Sequence, residues 1–123
     1  MIFKMKLQND PFVKIKNKTK TIEMRLNDEK RKNIKLNDVI EFTNVLTNEK
    51  LSVKVLNLYH YHDFKKLYQN HDKVSIGYLE NEDANPSDME KYYNEEDIKK
   101  YGVLAIEIEV IPMNKRILIN NWK

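Results

Sequence analysis

This chain of 123 residues has no cysteine. That excludes a disulfide framework and a thiolate metal site, and it suits a reducing cytosol. Its apolar runs are short and broken by lysines. None approaches the roughly 18 residues of a membrane-spanning helix, and the N-terminus carries no apolar signal-peptide core. The expectation is a cytoplasmic protein with no membrane partner. Charge of one sign is also scarce: 22 Lys plus Arg stand against 19 Asp plus Glu, a net of +3. A balance this close neither demands nor excludes nucleic acid, because what matters is whether the basic residues share a surface. No internal repeat or low-complexity tract is present. The length fits a single domain over residues 1–123, able to bury roughly two thirds of its unfolded surface.

What is there begins with a lopsided charge distribution. Lys14, Lys16, Lys18, Lys20, Arg25, Lys30, Arg31, Lys32 and Lys35 crowd the first third, and acids dominate from Glu80 to Asp97. Such clustering suits a phosphate-binding face, and a solvated lysine-rich surface has the same pattern.

Periodicity supplies the elements. Phe3, Met5 and Leu7 alternate with Lys4 and Lys6 in a half-buried strand over Met1–Leu7. Asp10 and Pro11 fit an N-cap and first helical position, with Phe12 and Ile15 on the apolar face of a short helix ending near Asn17. A strand over Lys20–Leu26 follows, then a polar connection to Asn37. Val39–Thr43 and Leu51–Leu58 alternate on either side of a turn containing Thr47 and Asn48, which reads as an antiparallel pair. Asp63 is placed to cap a helix carrying Phe64, Leu67 and Tyr68. Ser87 and Glu90 fit a capping box behind Pro86, and Asn94 opens a last helical turn that stops at Gly102. Val103–Ile111 is the strongest strand, and Arg116–Ile119 fits an edge strand beyond Pro112. Five or six mostly antiparallel strands with about three short helices point to an α+β fold, a small mixed barrel with helices at its mouth rather than a doubly wound sheet.

The densest chemistry lies in Lys20-Thr21-Ile22-Glu23-Met24-Arg25. On an extended segment Thr21, Glu23 and Arg25 share one face and Ile22, Met24 and Leu26 the other. The polar set is either an exposed strand face or the floor of a polar pocket. Glu23 can accept hydrogen bonds from a base edge, act as general base on water, or merely pair with Lys20 or Arg25. An exposed pair of that kind contributes only about 0 to 1 kcal/mol. Lys20 and Arg25 are natural phosphate contacts, Arg25 with a bidentate grip, and Lys30, Arg31 and Lys32 would extend the footprint. Tyr59 and Tyr61 are stacking candidates beside His60 and His62, as is Trp122. A metal centre is not expected, since the only other histidine is His71.

Three segments, Lys20–Arg25, Asn37-Asp38-Val39-Ile40-Glu41-Phe42 and Tyr101-Gly102-Val103-Leu104-Ala105-Ile106, make the chain resemble the ASCH domains of the PUA-like superfamily over about residues 1–110. Residues 112–123 would then be a C-terminal extension. The resemblance implies a β-barrel whose cleft gathers the lysine, the acidic or hydroxyl residue and the arginine of the first motif. It also implies RNA or a nucleotide-like small molecule as ligand, and no cofactor. Two enzymatic branches of the family are known, one hydrolysing acetylcytidine and one cutting RNA.

In the amidohydrolase branch the motif resembles Lys-Thr-Ile-Thr-x-Arg, with the lysine as base and the second threonine as nucleophile. Lys20 matches the base. Glu23 occupies the nucleophile's position, and Thr21 lies about 7 Å away along a strand. Glu82 stands roughly where that branch has its acidic partner, in a stretch that also reads as an acidic solvated loop. The candidate catalytic set is therefore Lys20, Thr21, Glu23 and Glu82, and the candidate binding set Lys20, Glu23, Arg25, Lys30, Arg31, Lys32, Tyr59 and Tyr61. A binding module leads, with a small hydrolase or a protein-interaction domain as rivals. The oligomeric state is open.

Overall fold

Apolar alternation at the N-terminus resolves into strand β1 (Ile2–Leu7), whose Met5 and Leu7 are buried. It is followed by helix α1 (Asn9–Lys16) and strands β2 (Ile22–Leu26), β3 (Val39–Asn44) and β4 (Lys50–Tyr61). Helix α2 (Phe64–Asn70), a 3-10 helix over Pro86–Lys91, helix α3 (Glu95–Tyr101) and strand β5 (Val103–Val110) complete the order. These elements come from a computed structural model that describes residues 1–112. The expected strand over Arg116–Ile119 and the stacking candidate Trp122 lie outside the described residues.

The five strands form one sheet in the order β1-β3-β4-β5-β2. Only β1 and β3 run parallel, and the other pairs are antiparallel. The sheet curls into a half-barrel, so the expected α+β barrel architecture takes an open form with β1 and β2 as its two edges. A register shift in β4 between Val55 and Asn57 marks a bulge, a feature that bends the strand carrying it.

Two apolar cores lie on opposite faces of the sheet. Leu104, Ile106 and Ile108 of β5 join Ile40, Phe42, Leu51, Val53 and Val55, over which α1 lays Phe12 and Ile15. Val103 and Ala105, the intervening β5 residues, meet Ile22, Met24 and Leu26 of β2 beneath Phe64, Leu67, Ile76 and Met89. Helix α2 and the 3-10 helix are thereby fixed over the second face.

The capping signals hold in part. Asp63 accepts from the Lys66 amide at 2.9 Å. Asn94 accepts from Asp97 at 2.8 Å, and Gly102 ends α3 with φ 72°. The expected start of α1 is corrected: the helix begins at Asn9, its cap position is Gln8 without a side-chain bond, and Pro11 sits third. Proline is tolerated there because first-turn amides have no intrahelical acceptor to lose. Asp10 pairs with Lys14 at 2.9 Å instead of capping. The capping box at Ser87 is also corrected. Asn85 caps, accepting from the Ser87 amide at 3.0 Å, because Pro86 already occupies the first helical position.

Candidate functional site

Strand register decides where the charged motif points. Glu23 pairs with Ile106 and Arg25 with Leu104, and directly opposed residues share a sheet face. Glu23 and Arg25 therefore project on the face of the larger core, while Ile22, Met24 and Leu26 fill the smaller one. Lys20 enters just ahead of the strand. Its amide bonds the Lys14 carbonyl at 3.0 Å, and the next two amides, of Thr21 and Ile22, both bond the Ser75 carbonyl at 3.0 Å.

The three side chains form a buried ionic triad. Lys20 Nζ lies 3.0 Å from Glu23 Oε1, and Arg25 Nε donates to Glu23 Oε2 at 2.7 Å. Their side chains are 7 %, 5 % and 12 % exposed in the order Lys20, Glu23, Arg25. Burial opposes ionisation of Glu23, but the charges and hydrogen bonds of Lys20 and Arg25 outweigh it and hold the carboxyl below its ordinary range. Burial likewise opposes the charge on Arg25, and Glu23 more than restores it. The pair is thus not the exposed strand ornament considered from sequence. Two cations against one carboxylate leave the triad with a net positive charge.

Gly77 makes room for this arrangement. It holds φ +115°, and a Cβ there would come 3.2 Å from Lys20 Cδ. Its carbonyl accepts from Lys14 Nζ at 2.8 Å, which brings a third cation to the triad's edge. Over the triad opens a cleft of about 490 Å³. Lys6, Lys14 and Lys91 line it, as do Tyr68, Tyr78, Tyr92 and Tyr93, with Glu82 and Asp88 as its carboxylates besides Glu23 and Asp10. Tyr93 stacks on Phe64 at 5.9 Å between centroids.

The ASCH domain family model matches residues 5–112. The chain belongs to the ASCH domain family. Among solved structures, the ASCH chain is similar to the crystal structure of hypothetical protein PH0355, at 38 % identity and a TM-score of 0.79 over 90 % of this chain and 100 % of that one. It is also similar to the solution NMR structure of protein PF0455 from Pyrococcus furiosus, at 36 % identity and a TM-score of 0.71 over 90 % of this chain and 98 % of that one. No functionally curated protein matches it.

Of the residues singled out from sequence, this ASCH fold gathers Lys20, Glu23, Arg25 and Glu82 at one cleft. Glu82 is exposed, and its Oε1 accepts from the Leu79 amide at 2.7 Å. Thr21 is exposed and does not line the cleft. It precedes β2, which begins at Ile22, two residues later than the expected strand, although the Thr21 carbonyl still accepts from the Ile108 amide at 2.9 Å. Lys30, Arg31 and Lys32 lie on the turn after β2, apart from the cleft lining. Arg31 pairs with Asp28 at 2.6 Å and Lys32 with Glu29 at 2.6 Å, so the loop neutralises much of its own charge. Tyr59 and Tyr61 pack against the smaller core, outside the cleft. Tyr59 donates to Glu107 at 3.0 Å, and Tyr61 bonds His71 Nε2 at 2.8 Å. His60 and His62 are exposed, and among the described residues no group of three potential metal ligands occurs. No described helix is long and apolar enough to cross a membrane.

Sequence reasoning passed over Lys14, Tyr78, Asp88, Tyr92 and Tyr93. Lys14 was counted only as part of the basic cluster, and Asp88 sits inside the capping motif. The adjacent pair Tyr92-Tyr93, so close behind that motif, was the available signal.

Proposed function

We propose that the cleft is a binding site for RNA or a nucleotide-like ligand, with Lys20 and Arg25 supplying positive potential at its floor. The observation that carries this reading is the buried triad, in which two desolvated cations share a single carboxylate beneath a solvent-open cavity. Desolvating three charges is costly, and packed apolar side chains of similar volume serve stability as well or better. A cleft floor of this kind is better accounted for by an anionic ligand, whose attraction is strengthened where water is thinned. The tyrosines on the walls add sequence-tolerant stacking surfaces of the kind single-stranded nucleic acids use.

A thermal-shift and titration screen against nucleosides, nucleotides and short RNAs tests the reading, since a ligand that binds only the folded state raises its melting temperature. Binding is expected to weaken steeply with salt and to fall in Lys14→Met and Lys91→Met, which leave the triad intact. Affinity unchanged between low and physiological salt, or no binding by any of these ligands, refutes it.

A further inference from the structure

The cleft has a second polar wall opposite in character to its cationic floor. Asn85 and Pro86 start the 3-10 helix that presents Asp88, and Met89 beside it is buried in the smaller core. The Tyr78 hydroxyl lies 2.7 Å from Asp88 Oδ2 and 2.8 Å from the Tyr68 hydroxyl. The Tyr78 hydroxyl also lies 3.3 Å from the Asn85 carbonyl, and because carboxylate and carbonyl oxygens only accept, Tyr78 gives its proton on that side, to the nearer Asp88 in the shorter bond, and Tyr68 then donates to Tyr78. The direction of the relay is fixed by its end: Tyr68 to Tyr78 to Asp88. Burial, followed by these hydrogen bonds, pushes the Tyr78 hydroxyl far up, so it remains a donor throughout the physiological range.

The relay orients Asp88 without neutralising it. Among the described residues no lysine or arginine lies within ion-pair distance of Asp88, whereas Asp10, Asp28, Glu23, Glu29 and Glu49 all have such partners. Oδ2 accepts from Tyr78, and among the described residues no donor bonds Oδ1 of this cleft-lining carboxylate. A carboxylate held in place by a part-buried relay, inside a cavity otherwise rich in lysines, matches a ligand that carries hydrogen-bond donors as well as an anionic group.

We infer that Asp88 is a specificity residue that selects nucleotides whose base carries an exocyclic amine, accepting from that amine while the phosphate meets Lys20 and Arg25. This rests on the nucleotide reading above and deepens it. Adenine, cytosine and guanine offer an amine to such an acceptor. Uracil places a carbonyl oxygen where cytosine has its amine, and hypoxanthine places one where adenine has its amine and only a hydrogen where guanine has its own; a carbonyl there repels the carboxylate, and a hydrogen leaves it without that donor. Tyr78 acts as a positioning residue, holding the carboxylate in one orientation.

The test is calorimetric titration of the full chain with AMP, CMP and GMP against UMP and IMP at one ionic strength. The amine-bearing group is expected to bind about tenfold more tightly, the lower range of discrimination for one well-placed base contact. Asp88→Asn, whose amide both donates and accepts, should erase the preference while the monophosphates still bind. Tyr78→Phe, which retains the ring and removes the relay, should reduce the preference without abolishing binding, with near-ultraviolet circular dichroism confirming the fold of both variants. Equal affinity of all five nucleotides, or a preference that survives Asp88→Asn, overturns the inference and leaves the nucleotide reading standing. Failure of all five to bind the folded parent overturns the inference and removes the nucleotide reading with it.

Discussion

Arg25 Nη2 donates to the backbone carbonyl of Lys6 at 2.9 Å, a bond that spans the open seam between β2 and β1. Among the described residues no strand pairing joins those two edges, which stand at opposite ends of the sheet order. The same guanidinium uses Nε to hold Glu23, so one side chain both anchors the triad and ties the half-barrel across its gap. Lysine cannot do both, because its ammonium is a single point of donation without the planar fork. Arg25→Lys is expected to lose roughly 1–3 kcal/mol of stability, the cost of a charged hydrogen bond left unmade. Urea unfolding of the two proteins measures it. A variant as stable as the parent would show that the seam bond does not hold the barrel.

Glu23→Gln removes the counter-charge of two buried cations and is expected to destabilise the fold by roughly 3–5 kcal/mol at neutral pH. The pH dependence follows from the direction of the Glu23 shift. A carboxyl held below its ordinary value of 4.5 contributes stability that is complete above that value and is lost as pH falls through the folded pKa. The gap between parent and variant should therefore be narrower at pH 3 than at pH 7. Denaturant midpoints at both pH values decide it, and a gap that stays constant would mean that Glu23 is not ionised in the folded protein.

How much of this was legible in the sequence varies with the range of the interaction. Strand alternation and the caps at Asp63 and Asn94 were readable because they are set by neighbours a few residues apart. Asn37 holds φ 71°, a left-handed conformation that glycine adopts most easily and asparagine next. The motif Lys20–Arg25 was marked as either solvated face or pocket floor, and the choice depended on β2 pairing with β5, a contact more than 70 residues away in sequence. The pairing of β4 with β5 put Tyr59 and Tyr61 on the second core, since their β5 partners Ala105 and Val103 face that way. The Tyr68–Tyr78–Asp88 relay joins α2, the connection after it and the 3-10 helix, and no local period links those residues.

Gly102 gives a sharper local test. Its φ of 72° with ψ of −175° lies in a region open essentially to glycine alone, and a Cβ there would approach the Tyr61 carbonyl oxygen to 2.9 Å. The contact is with backbone, which no rotamer change relieves. Gly102→Ala is expected to destabilise by about 1–3 kcal/mol and to lower the melting temperature. Because Gly102 adjoins the start of β5 and not the cleft lining, nucleotide affinity of the folded variant should stay at the parent's level. A neutral or stabilising Gly102→Ala would show that the α3–β5 junction relaxes freely.

The last expectation concerns acyl transfer. In the amidohydrolases that the motif resembles, a threonine occupies the position of Glu23, and a covalent route through that hydroxyl divides a difficult step into two easier ones. Here both Glu23 oxygens are engaged by Lys20 and Arg25, which leaves the carboxylate poorly placed to attack or to direct water. Thr21 offers no replacement, because it is exposed and outside the cleft. The chain is therefore expected to release little or no acetate from acetylcytidine. Glu23→Thr restores the hydroxyl and frees Lys20 from its carboxylate, so any activity that appears should appear there first, provided the variant's circular dichroism shows it folded. Acetate release is measured for the parent, Glu23→Thr and Lys20→Ala; brisk turnover by the parent that persists in Thr21→Ala and disappears in Lys20→Ala would place this cleft among the hydrolases, with a nucleophile other than threonine.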